Sequence, residues 1–205
     1  MKTCNLYYIL YCLLFISCGS NKIKKQEAYF SKQEVPNYTV NKLNDSVQSI
    51  GSNFILKNNV GNWELFVSGS PAEIGSKMGL LSKEIYAFQE NALFNMVKNV
   101  IPDTKKQKYL FNFLEFYNRN ISNHIIDEYK EEIFNLSRYA SDDYDYLTDK
   151  YKRCLFLHGA HDIGHAFQDL MLVGCSSFAV WNEKSADSNL LVGRNFDFYV
   201  NDDFA

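Results

Sequence analysis

The sequence predicts an α+β protein in which a run of helices precedes a β-hairpin. Three observations predict it. Apolar residues recur at helical spacing from Ile74 to Ala140. After Gly174 the period changes to the alternation of a strand. Between these stretches stand proline, asparagine, aspartate and glycine at positions where elements start and stop. Composition agrees with a packed interior, at 46% apolar and 16% aromatic residues. A chain of 205 residues is long enough to bury one sizeable core or two small ones. The formal charge of -3 gives no footprint for a polyanion, so nucleic acid is not an expected partner.

Residues 1–17 read as a signal peptide. Lys2 gives a positive start, and Leu6 to Ile16 is an apolar run too short to span a bilayer as a helix. The run ends in Phe15-Ile16-Ser17-Cys18-Gly19. Small residues flanking a cysteine directly after an apolar run resemble a bacterial lipobox, in which Cys18 becomes the lipidated first residue of an exported lipoprotein facing the periplasm or in the outer membrane. An ordinary signal peptide, with no special role for Cys18, is the alternative. Residues 18–52 are rich in Asn, Lys, Gln and Ser, a composition that offsets little ordering entropy, and read as a tether.

Residues 53–174 are expected to be mainly helical after two short strands. Those strands fall at Phe54–Lys57 and Trp63–Val67, around the turn Asn58-Asn59-Val60-Gly61-Asn62. Ser70-Pro71-Ala72-Glu73 opens a helix: Ser70 caps, Pro71 suits the first turn and Glu73 completes a capping box. Ile74, Met78, Leu81, Ile85, Phe88 and Ala92 form one continuous stripe, ended by Pro102. A second helix carries Leu110, Phe113, Tyr117 and Ile121 on one side. A third carries Ile126, Tyr129, Ile133, Leu136 and Ala140, before Ser141-Asp142-Asp143 breaks the pattern. Helix returns from Leu147 to about Leu170, weakened by Gly159 and Gly164. Residues 175–205 then begin a sheet, with strands at Cys175–Trp181 and Leu190–Phe198 around a polar turn.

Of the five cysteines, Cys4 and Cys12 leave with the signal, and an acylated Cys18 leaves Cys154 and Cys175 as thiols. One disulfide between them is compatible with an exported protein. Gly174-Cys175-Ser176-Ser177 suggests a different chemistry. Glycine admits backbone geometries closed to other residues, so a strained peptide can be presented to the following thiol. An N-to-S acyl shift and hydrolysis then free Cys175 as a new N-terminus. Its α-amine, with an ordinary pKa of about 7.7–8.0, can serve as base for its own thiol. A buried structural cysteine is the bland alternative. Arg194 and Asp197 lie in an otherwise apolar strand expected to be at least half buried, where charges persist when paired or used. Their spacing puts them on opposite faces of a regular strand, so to meet at one site the strand must bulge or end near Asn195. An outward Arg and a turn Asp is the alternative.

Together these segments resemble the N-terminal-nucleophile hydrolases. Gly174-Cys175-Ser176-Ser177 opening a strand, followed by Gly193-Arg194-Asn195-Phe196-Asp197-Phe198, is similar to the choloylglycine hydrolase and penicillin acyltransferase branch. Gly69-Ser70-Pro71-Ala72-Glu73-Ile74-Gly75, with Gly79 beyond, resembles the helix opening of the isopenicillin-N acyltransferase-like cysteine peptidases. The resemblance covers roughly Trp63 to Tyr199. It implies the first strands of a four-layer αββα sandwich, incomplete in this chain. It also implies autoproteolysis after Gly174 and an amidohydrolase or acyltransferase acting on a small amide or acyl donor through a Cys175 thioester. Arg194 then lowers the thiol pKa and Asp197 holds the new α-amine; no cofactor is implied. A truncated or decayed relative, exported but not catalytic, is the rival reading.

One further constellation invites a metal. Cys154, His158, His161 and His165 recur at spacings of four, three and four on one face of the last helix, opposite its apolar stripe. Zinc accepts such ligands, but an array rising along one helix does not close a tetrahedron by itself. A polar, partly solvated face is the expected state, and no metal is assigned. The acidic cluster Asp142, Asp143, Asp145 and Asp149 lacks the glycine and glutamate of a calcium loop.

Overall fold

Four antiparallel strands, placed before the long helices, form the first layer of the fold. The computed structural model describes the backbone of residues 23–159 and 173–198, and the side chains of 23–159 and 176–195. It is mixed α+β. The described residues fall into two bodies, one up to Leu157 and one from His158 onward.

In the first body, strands β1 (Asn41–Asn44), β2 (Val47–Ile50), β3 (Asn53–Lys57) and β4 (Trp63–Phe66) pair in chain order as a meander. The last two match the predicted strands to within a residue. Asn58 builds the turn between them: its Oδ1 accepts from the N–H groups of Val60 (3.1 Å) and Asn62 (2.9 Å), and Gly61 supplies a positive φ of 93°. Asn53 is buried and ties the sheet to the connection that leads into the long helices. It accepts the Ser68 N–H at 2.7 Å and donates to the Ile50 carbonyl at 3.0 Å.

The reading of 18–52 as a tether is corrected over its described part. Residues 23–30 are helical (α1), and β1 and β2 come from the same polar stretch. Ile23 and Phe30 are buried against Ile133, Leu136, Tyr151 and Leu155, and Ile50 against Ile55 and Leu81. Few apolar residues suffice because each is inserted into a core made by distant segments. Residues 1–22, with the signal peptide and Cys18, lie outside the described residues.

Glu27 on α1 carries a second tie. Its carboxyl shares a hydrogen bond with Asp149, and its pKa is pushed up to about 7, first by burial and then by the neighbouring Asp149 charge. A folded-state pKa above the ordinary 4.5 means that the fold holds a proton the unfolded chain releases. Stability is therefore full at low pH and falls as pH rises from about 4.5 through about 7. Glu27→Gln keeps a hydrogen-bonding group and cannot ionise. Solvent screening of this half-buried group leaves an effect of about 1 kcal/mol. The variant is expected to melt about 2–4 °C above the parent at pH 8 and level with it at pH 4.5. Thermal unfolding followed by circular dichroism at both pH values checks this.

Helix α2 (Pro71–Leu81) starts as predicted. The Glu73 carboxylate reaches back to the Ser70 N–H at 2.9 Å and also accepts the Tyr38 hydroxyl at 3.0 Å. The predicted continuous stripe is broken at Ser82, which adopts φ −100°, ψ 10° and returns its hydroxyl to the Met78 carbonyl at 2.7 Å. Helix α3 (Lys83–Val100) follows directly, leaving Phe88 exposed and burying Ala92 and Phe94. It ends just before Pro102, as expected.

Helix α4 (Thr104–Tyr117), capped by Asp103, turns Gln107 and Phe111 inward. Phe113 and Tyr117, expected on one side of this helix, are half exposed and stack on each other. Helix α5 (Asp127–Ser137) buries Ile133 and Leu136, with Ala140 beyond it, but leaves Ile126 and Tyr129 outside. A 3-10 turn at Asp142–Tyr144 and helix α6 (Lys150–His158) complete the first body. Residues 160–172, the rest of the predicted last helix, lie outside the described residues.

Helix α2 crosses α5 at very close range. A Cβ on Gly75 would sit 2.2 Å from the Glu132 carbonyl oxygen, and one on Gly79 2.4 Å from the Tyr139 ring. Two of the glycines in the motif that resembles the peptidase helix opening are thus packing residues.

The second body is a two-stranded antiparallel hairpin, β5 (Val173–Asn182) and β6 (Ser188–Phe198), close to the predicted one.

Candidate functional site

The hairpin carries every candidate catalytic residue, and its register fixes how their backbone positions relate. Gly174 pairs with Asp197, Cys175 with Phe196, and Ser177 with Arg194. Strand alternation therefore assigns positions 175, 177, 194 and 196 to one set and 174, 176, 195 and 197 to the other. Cys175 and Arg194 are diagonal neighbours within one set, a separation of about 7–8 Å that long side chains bridge. Asp197 belongs to the other set, directly across from the residue that precedes the nucleophile. The side chains of Cys175 and Asp197 lie outside the described residues.

Three expectations are corrected here. Pairing runs without a shift past Asn195, and the register irregularity of the hairpin falls instead between Val180 and Asn182, next to the turn. No bulge is therefore present at Asn195 to bring positions 194 and 197 to one face. Arg194 is exposed rather than half buried. The strand also begins at Val173, so the Gly174–Cys175 peptide lies inside a paired stretch and not at its first residue.

Apolar side chains stand out on both faces of the hairpin. Phe178 and Leu191 belong to the set of position 197; Trp181, Leu190 and Val192 belong to the set of position 175. All five are more than half exposed. Phe178 lies over Gly193, where a Cβ would come within 2.3 Å of the ring. The glycine of the Gly193-Arg194-Asn195 motif thus makes room for its cross-strand aromatic neighbour, the arrangement that compensates a glycine in a sheet. A two-stranded ribbon with apolar groups on both sides is marginal alone.

The histidine–cysteine constellation is corrected at its first member. Cys154 is fully buried in the core of the first body, with its sulfur 2.8 Å from the Tyr86 hydroxyl. Burial pushes the thiol up to about 12 and Tyr86 upward as well, so neither ionises near neutral pH. His158, at the exposed end of α6, is separated from it by burial, and His161 and His165 lie outside the described residues. Among the described residues no group of His, Cys, Asp or Glu is arranged to hold a metal ion. The acidic residues Asp142, Asp145 and Asp149 are used in ion pairs with Lys150, Arg153 and Lys152. No helix of the described residues is long and apolar enough to cross a membrane.

Sequence reasoning missed a fully buried ion pair of the first body. Arg153 on α6 meets Glu90 on α3 at 2.5 Å, and their side chains are 1% and 0% exposed. Arg153 also donates to Asp145 and to the carbonyls of Thr148 and Ser141, while Glu90 accepts the Ser141 N–H. Apart from this pair itself, each of these bonds goes to the 141–148 turn, so the network organises the fold. A helix periodicity reads positions 90 and 153 as polar and outward; no local signal links them.

No protein-family model, no curated protein and no solved structure matches the chain.

Proposed function

We propose that the chain carries the nucleophile segment of an N-terminal-nucleophile amidohydrolase or acyltransferase, with Cys175 as nucleophile. The observation that supports this reading is the register that sets Gly174 opposite Asp197 and Cys175 diagonal to Arg194. The two charges serve different atoms, so they need not share a face. The thiol is a side-chain group and is served by Arg194, in the same alternation set. The α-amine released at residue 175 is a main-chain group and is served by Asp197, across from the bond that breaks.

In the maturation step the Cys175 sulfur attacks the Gly174 carbonyl carbon, the peptide C–N bond breaks, and the thiol proton passes to the new amine. Water then hydrolyses the thioester, leaving a Gly174 carboxylate and a Cys175 thiol. In turnover the amine accepts the thiol proton, the sulfur takes the acyl group of a small amide, and the departing amine carries the proton away. Water or a second amine resolves the thioester. An αββα layering accounts for the apolar groups on both faces of the hairpin, and lipidation at Cys18 would hold the protein at the membrane of the cell envelope.

Intact-mass measurement of the purified protein tests this. The expected result is two fragments, divided between Gly174 and Cys175, with cleavage abolished in Cys175→Ala. A single uncleaved species in the parent overturns the reading and leaves an exported protein that binds without cleaving.

A further inference from the structure

Within the first body, a cavity of about 320 Å³ opens between α1, the end of α4 and α6. Its apolar walls are Ile23, Phe116 and Phe156, and its polar ones include Glu115, Arg119 and Lys152. The charges are not equivalent. The Lys152 ammonium is nearly buried and already compensated, 2.9 Å from Asp149 and 3.5 Å from Glu115. Glu115 is itself held by the Thr148 hydroxyl. Arg119 differs. It donates through Nη1 to the Phe116 carbonyl at 2.8 Å and lies over the Phe116 ring at 4.4 Å. Among the described residues it makes no ion pair. A guanidinium offers five N–H donors in a planar fork, and stacking on an aromatic ring fixes the plane of that fork.

We propose that this cavity binds a small organic monoanion with an apolar body, an aryl- or short branched-chain carboxylate, gripped by Arg119. The volume is at the low end of small-molecule sites, which excludes long acyl chains. Phe116 and Phe156 supply flat apolar surface for the body of the ligand. The carboxylate meets the unspent edge of the guanidinium, a charge-assisted and potentially bidentate pairing. Lys152, with its charge already balanced by two carboxylates, adds little net attraction. The site therefore favours one negative charge over the two of a phosphate. The inference is independent of the chemistry assigned to Cys175.

Phenylacetate binding to the full chain tests it, by calorimetry and by amide chemical shifts. Saturable binding is expected with a Kd of about 0.1–1 mM, and shifts concentrated at residues 112–119 and 150–156. Arg119→Gln is expected to weaken it about tenfold or more, with an unchanged circular dichroism spectrum and melting temperature. Phenylacetamide, which keeps the ring and loses the charge, is expected to bind weaker by a similar factor. Absence of saturation, equal affinity in Arg119→Gln, equal affinity for phenylacetamide, or tighter binding of inorganic phosphate each overturns the proposal.

Discussion

Arg153→Met is expected to destabilise the first body by about 3–5 kcal/mol, because it leaves the Glu90 carboxylate buried and without its cation. The side chain of Glu90 is 0% exposed, so the carboxylate has no route to solvent without opening the contact between α3 and α6. That cost is a large fraction of the roughly 5–15 kcal/mol that holds a typical domain together. Urea unfolding followed by circular dichroism should show the midpoint falling with little change in slope. The double variant Glu90→Leu, Arg153→Met removes the stranded charge as well, and is expected to recover about 1.5–3 kcal/mol of the loss. Recovery stays partial because the Ser141 and Thr148 carbonyls, which accept from Arg153, lose their donor. A single variant as stable as the parent would show that Glu90 finds solvent or a proton at little cost.

The same pair shows where the sequence stops being readable. Glu90 and Arg153 look like ordinary solvated charges on amphipathic helices, yet the two side chains are buried against each other. The helical stripe is also interrupted, at Ser82 between α2 and α3. That break has a weak local signature, a serine returning its hydroxyl to the preceding turn, and so the stripe from Ile74 to Ala92 reads as one helix. Strong local chemistry was legible. Ser70-Pro71-Ala72-Glu73 starts a helix through groups within one turn of each other, and Asn58 and Gly61 make a turn through their own backbone geometry. The hairpin was legible for the same reason, since alternation and a polar turn are local.

Elements whose stability comes from distant partners were not legible. Residues 23–50 are polar in composition, yet Ile23, Phe30 and Ile50 each complete a core built by later segments. In α4, period alone could not distinguish Phe111, which is buried against Phe94, from Phe113, which faces outward. At the candidate site, the residue types and their order were visible, but the register was not. Pairing of Gly174 with Asp197 runs on without a bulge, so positions 194 and 197 stay in different alternation sets.

Gly75→Ala is expected to cost about 2 kcal/mol, a fall in melting temperature of about 4–8 °C, although alanine is the better helix former. Two effects oppose each other at this position. Intrinsic propensity favours alanine by about 1 kcal/mol in a helix interior. Against it, the new methyl would lie 2.2 Å from the Glu132 carbonyl oxygen and 2.9 Å from its carbonyl carbon and Cα. Those are backbone atoms of α5, so relief requires the two helices to separate along their whole contact, and overpacking prevails. Gly79→Ala is expected to cost less. Its methyl meets the Tyr139 ring at 2.4 Å, a side chain that can rotate, and the Leu136 carbonyl only at 3.2 Å. Thermal unfolding of both variants under one buffer measures the order directly. If both are stabilised by the propensity term instead, the close crossing of α2 and α5 is not the one described. If the order holds, packing alone accounts for glycine at these two positions of the helix-opening motif, and the case for catalysis rests on the hairpin.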